Sequence, residues 1–279
     1  MGHKIGLLTE GSSKKDYHIV LLVMLVFFVI SFITNILNSI IVDVKESFDL
    51  SLTMTGFLPF TFFIAYGVMS IPAGFLSERF ENKALLSFSF LLMTLASLVF
   101  VFVPTHIVFS FTLFVLGSCM AILQVIINPM LRVAGGEEHF AFNSVVAQLV
   151  FGGASFTSPY FYKYLVNVDA NENWATTLRS FVPEHIPWAS LYLVFSVFCF
   201  VLVLIVLLTK YPTYEKAEGE KAGDSISYMT LIKNKYTHLY FLGIFCYVGI
   251  EQGVGNWISQ FLQEYHQIDP QTFGANTVA

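Results

Sequence analysis

Long uncharged runs separated by short charged ones set the pattern of this chain. Residues 19–42 and 50–77 carry no charged side chain, and 84–131 is a double-length apolar run broken by Val103-Pro104-Thr105-His106. Two further runs cover 140–162 and 186–209, and a last one covers about 236–263, interrupted by Glu251. A spanning helix needs about 20 predominantly apolar residues to cross roughly 30 Å of hydrocarbon. The pattern therefore predicts seven transmembrane helices, the broken run giving two helices and a tight turn. Eleven of the fourteen Lys and Arg fall on one side of the alternating loops, against Lys45, Lys163 and Arg179 on the other, which predicts a cytoplasmic N-terminus. Trp174 and Trp188, in and beside the polar loop over 167–187, read as interfacial anchors.

Composition narrows the class. Of 279 residues 56% are hydrophobic, only 12% are charged and 30 are Phe, which fits an all-α polytopic membrane protein surrounded by lipid and excludes disordered and ordinary soluble classes. A formal net charge of -5 argues against nucleic acid as a partner. Cys119, Cys199 and Cys246 all sit in apolar runs with no CxxC, so neither a disulfide framework nor a metal site is expected, and no cofactor is implied. The first apolar stretch is too long for a cleaved leader and lacks a small-residue cleavage site. Nucleophile elbow, HExxH and phosphate-loop patterns are absent from the sequence, so an enzyme is not expected.

Sliding the chain against itself by 218 positions pairs Phe27 with Phe245, Asn38 with Asn256, Ile40 with Ile258, Glu46 with Glu264 and Gly56 with Gly274. The identities are few, but they fall where a parallel repeat of six helices would place them. The expected organisation is a six-helix unit over 1–209, a charged cytoplasmic linker over 210–235, and the start of a second unit over 236–279. Repeat logic puts the complete protein at about 440 residues, with seven of twelve expected helices present. The C-terminal half is then a missing partner, and the chain alone is expected not to transport.

The loop Gly74-Phe75-Leu76-Ser77-Glu78-Arg79-Phe80-Glu81-Asn82-Lys83 resembles the G-x-x-x-D-R-x-G-R-K motif of the major facilitator superfamily. Gly74 would allow close helix approach, and Glu78, Arg79 and Lys83 would supply gating charge pairs. Three further segments resemble the fucose permease family, symporters of fucose, galactose and glucose. They are Asn35-Ile36-Leu37-Asn38 with Phe48-Asp49-Leu50-Ser51, Leu123-Gln124-Val125-Ile126-Ile127-Asn128-Pro129, and Tyr247-Val248-Gly249-Ile250-Glu251 with Gly255. The resemblance covers roughly 25–265 and implies the major facilitator fold and a sugar as substrate. Where some proton-coupled members carry acids, this chain has Asn38 and Gln124, which do not titrate near neutral pH. The family's helix-five pattern keeps only Asn143, with Gln148 beyond it.

Amides that donate and accept without ionising suit a neutral polyhydroxylated ligand. Asn35, Asn38, Gln124, Asn128, Asn143 and Gln148 are the candidates in the first half, and Asn35/Asn38 and Gln124/Asn128 each share a helix face by spacing. Gln252, Asn256 and Trp257 are the candidates in the seventh helix, Trp257 as a surface for a sugar ring. Glu251 is the candidate coupling residue, taking up H⁺ or helping to hold Na⁺. Gly249, Gly253 and Gly255 predict a broken or flexible seventh helix. The expected function is alternating-access uptake of a monosaccharide through the cytoplasmic membrane, a bacterial inner membrane. A facilitator or exporter of another solute, a non-transporting sensor or scaffold, and an inactive fragment remain the alternatives.

Overall fold

The computed structural model describes residues 16–166, 174–209 and 233–268. Five long helices follow one another: α1 (Tyr17–Ser47), α2 (Leu52–Arg79), α3 (Asn82–Phe102), α4 (His106–Gly135) and, after a single 3₁₀ turn, α5 (Phe140–Val166). A short α6 (Trp174–Arg179) and a second 3₁₀ turn lead into α7 (Ser190–Leu208), and α8 (Lys235–His266) closes the described part. Most of the linker over 210–235 and the chain beyond Ile268, including Gly274, lie outside the described residues.

Polar side chains set several helix starts. Ser51 accepts a hydrogen bond from the Met54 amide (3.3 Å), Thr105 from Val108 (3.4 Å) and Asn234 from Tyr236 (3.0 Å), each meeting one of the first-turn donors that a helix leaves unpaired. At its far end α4 stops at Gly136, whose φ of 79° lies in the region glycine enters without Cβ strain. α8 stops at Gln267, also left-handed at φ 54°, whose amide returns to the Gln263 carbonyl (3.0 Å).

α1 lies at the centre, packed against α5, α4, α2 and α8, while α2 packs on α4 and α3 on α7. At Gly117 of α4 the α2 backbone comes so close that a Cβ would overlap the Phe62 carbonyl, the intimate approach that small residues permit between membrane helices. Trp188, expected as an interfacial anchor, is 1% exposed. Its indole N–H donates to Ser47 Oγ (3.0 Å), and its ring meets Phe100 at 5.6 Å and Phe109 at 5.2 Å. A ring that can bury its face among aromatics and still satisfy its one donor has no need of the interface. Trp174 is half exposed against Tyr164.

Among the described residues six helical stretches are long and apolar enough to cross a membrane: the first five long helices and the stretch from Pro187 to Leu208. The seventh expected span, α8, is 32 residues long but carries Glu251 and a series of amides that keep it out of that set. Gly249, Gly253 and Gly255 do not break it: the helix is continuous from Lys235 to His266.

Candidate functional site

Register, read from contacts, gives each polar residue a depth along α1. α8 runs parallel to α1. Asn38 Nδ2 lies against Gly255, where a Cβ would come within 3.1 Å of it, and Gln263 Nε2 donates to Glu46 Oε1 at 3.1 Å; both pairs are 217 residues apart. That offset is within one residue of the internal sequence echo. α5 is also parallel, since Ser31 Oγ donates to the Phe151 carbonyl (2.6 Å) and the Tyr162 hydroxyl donates to Asp43. α4 is antiparallel, with the Asp16 amide on the Ala134 carbonyl (3.1 Å) and the Phe48 ring beside Phe109.

Projected onto α1, the amides form a file rather than a ring. Asn38 stands highest, toward the Glu46 end, and Gln252 is level with Asn35. Gln124 and Gln148 fall beside about residues 28–29, and Asn128 and Asn143 beside about 23–24. From Asn38 to Asn143 the file runs about 22 Å at 1.5 Å per residue, longer than one sugar ring.

The individual environments differ. Asn38 is buried, at 5% exposure, and Asn35 is half-buried, donating to the Ser31 carbonyl (2.9 Å) and Oγ (3.2 Å). Asn128 is exposed and donates to the Gln124 carbonyl (3.1 Å), so those two are joined on one face as their spacing implies. Asn143 is half-buried with its amide pressed on Gly135, near the N-terminal end of α1 and well away from Asn38. Gln148 is exposed and Gln252 half-buried. The Trp257 ring lies over Gly56 of α2, where a Cβ would come within 3.5 Å of it. The Asn256 side chain lies outside what the structure describes. Glu251 is exposed, on the part of α8 that stands clear of α1.

The charged loop between α2 and α3 holds the residues expected to supply gating pairs. Glu78 and Arg79 are exposed, and a Cβ on Gly74 would meet no described neighbour. Lys83 Nζ donates to the carbonyls of Leu207 (2.7 Å) and Thr209 (3.1 Å), at the C-terminal end of α7. A cation placed there meets carbonyls the helix leaves unpaired and the negative end of its dipole.

Three polar residues stand outside the candidates that the sequence offers. Asp43 follows the uncharged run over 19–42, yet α1 continues one turn beyond it and Asp43 accepts the hydrogen bond of Tyr162, itself 1% exposed. Ser259 and Gln260 of α8 are buried at 2% and 4% exposure. The signal was available: Gln252, Asn256, Gln260 and Gln263 recur at three- and four-residue steps on an otherwise apolar helix.

A sequence profile of the Major Facilitator Superfamily matches residues 23–278, and the chain belongs to that superfamily. It is an integral membrane protein. It is 30% identical over 264 residues to a glucose/galactose transporter of Brucella abortus, covering 92% of this chain and 61% of that protein. It is 22% identical over 273 residues to the L-fucose-proton symporter of Escherichia coli, covering 91% of this chain and 62% of that one. The chain thus spans about three-fifths of the length of these relatives. Among solved structures it superposes with a TM-score of 0.75, at 15% identity, on a bacterial homologue of the human lysosomal transporter Spinster in an inward-facing, unoccupied conformation, covering 96% of this chain and 59% of that one. The Escherichia coli fucose:proton symporter gives 0.63 at 21% identity, with 87% and 62% covered.

Proposed function

We propose that the chain is the first six helices and the seventh of a secondary transporter that moves a monosaccharide by alternating access. The observation that carries this reading is the file of uncharged amides along α1, contributed by α1, α4, α5 and α8. Hydroxyls both donate and accept, and amides answer both without the desolvation cost of an ion in hydrocarbon. The relatives named for glucose, galactose and fucose support the same solute class. The tiers near Asn35/Gln252 and Gln124/Gln148 form the main site, and Asn128 and Asn143 line the path toward the N-terminal end of α1. Trp257 flanks the site from the Glu46 end.

The excess of Lys and Arg on one side supports a cytoplasmic N-terminus, with the Glu46 end outside, and the bacterial relatives support a bacterial inner membrane. Glu251, level with residue 34 of α1, carries the coupling cation, H⁺ in the first instance. Counterflow in proteoliposomes holding the full-length protein, both halves present, with labelled glucose, galactose and fucose, tests the reading. Uptake saturable by one of these sugars is expected, and Glu251→Gln should abolish accumulation against a gradient while leaving counterflow. Indifference to all three sugars would overturn the solute class, and unchanged accumulation in Glu251→Gln would overturn the coupling role.

A further inference from the structure

Gln260 and Ser259 are the most deeply buried of the described polar side chains on α8, and neither has a hydrogen-bond partner among the described residues: the Gln260 Oε1 and Nε2 and the Ser259 Oγ are all unmet. At 100° per residue, Gly255 and Gln263 define the α1-facing side of α8 and Trp257 the α2-facing side. Ser259 falls in the middle of the α1-facing side and Gln260 in the crease between α1 and α2. By the shared offset of 217, Gln260 is level with Asp43, about 7 Å beyond Asn38 and one turn short of the Glu46–Gln263 hydrogen bond.

A buried amide left unpaired on both sides is costly, more so in hydrocarbon. We infer that Gln260 and Ser259 form an entry subsite for one hydroxyl of the transported solute, met when α1 and α8 separate at the Glu46 end. A cation would use only Oε1 and leave Nε2 unmet, whereas a hydroxyl takes a hydrogen bond from Nε2 and gives one to Oε1 or to Ser259 Oγ. In the arrangement described the Glu46–Gln263 bond closes over these groups. Separation of the helices exposes them, and a solute that pairs with them favours the separated state by its differential affinity. This inference rests on the proposed monosaccharide reading and adds to it a position for first contact, outside the main site.

The test is binding of glucose, galactose, fucose and their monodeoxy analogues to the detergent-solubilised protein, followed by Trp fluorescence, in wild type, Gln260→Leu and Gln260→Asn. Gln260→Leu should weaken the preferred sugar about tenfold and leave unchanged the affinity for the one deoxy analogue that lacks the contacted hydroxyl. Its melting temperature without sugar should equal or exceed that of wild type, and Gln260→Asn should recover part of the affinity. The subsite is overturned if Gln260→Leu binds every sugar as wild type does, if it weakens all the analogues equally, or if it lowers the melting temperature with affinity unchanged, the mark of a structural amide. Failure of the wild type to bind any of the sugars would instead remove the monosaccharide reading and the subsite with it.

Discussion

The Tyr162 hydroxyl donates to a carboxylate that α1 carries into the bundle at Asp43, and a hydrogen bond to a charged acceptor is worth about 1.5–3 kcal/mol. Tyr162→Phe removes the donor and little volume, so it should lower stability by about that amount, read as a drop in melting temperature by near-ultraviolet circular dichroism. An unchanged melting temperature would mean Asp43 is held by its other surroundings. Gly117 makes a second residue-scale case. A Cβ there would strike the Phe62 carbonyl, which is backbone and cannot rotate away, so Gly117→Ala should force α2 off α4 and cost about 1–3 kcal/mol. Gly67→Ala, with nothing within 4 Å, is the matched control and should cost nothing measurable. Neither feature was legible in the sequence. A carboxylate at the end of an apolar run reads as a boundary, and a close backbone approach has no signature beyond the glycine itself.

Hydropathy located the elements well, because an uncharged run of spanning length has few alternatives to a helix in lipid. It does not show what residues within an element touch. Lys83, in the charged loop motif, reaches across to the last carbonyls of α7 and ties α3 to that helix end. Lys83→Met keeps the aliphatic stem and deletes the donor. It should destabilise the protein by about 0.5–1.5 kcal/mol and raise hydrogen exchange at the C-terminal turn of α7, with α1 and α4 unaffected. Equal exchange in α7 would show that the carbonyls are satisfied without the lysine. The glycines of α8 teach the same lesson. Their spacing predicts a broken or flexible helix, but a glycine in a helix permits close approach as readily as a kink, and Gly255 is where the Asn38 amide meets α8.

At the scale of the whole molecule, superfamily membership was legible from short motifs, but the depth of the candidate site was not, because depth follows from inter-helix register that spacing within one helix cannot supply. The register also reveals an asymmetry. α1 and α8 meet through Asn38–Gly255 and Glu46–Gln263, whereas residues 236–251 of α8 are exposed, so the pair is joined at the Glu46 end and apart at the other. One neutral hydrogen-bond donor on a carboxylate is weak enough to break during a transport cycle and strong enough to bias it. With Cys246, the exposed native cysteine, replaced by Ser, two double-cysteine proteins separate the two ends. Glu46→Cys with Gln263→Cys should be joined rapidly by a short bis-thiol reagent, and the joined full-length protein should lose sugar exchange. Leu21→Cys with His238→Cys, at the same 217-residue offset but on exposed positions at the open end, should be joined slowly without solute and faster when sugar drives the helices together there. Equal joining at both ends, with or without sugar, would mean that α1 and α8 move as one body and that access to the amide file is controlled by other helices.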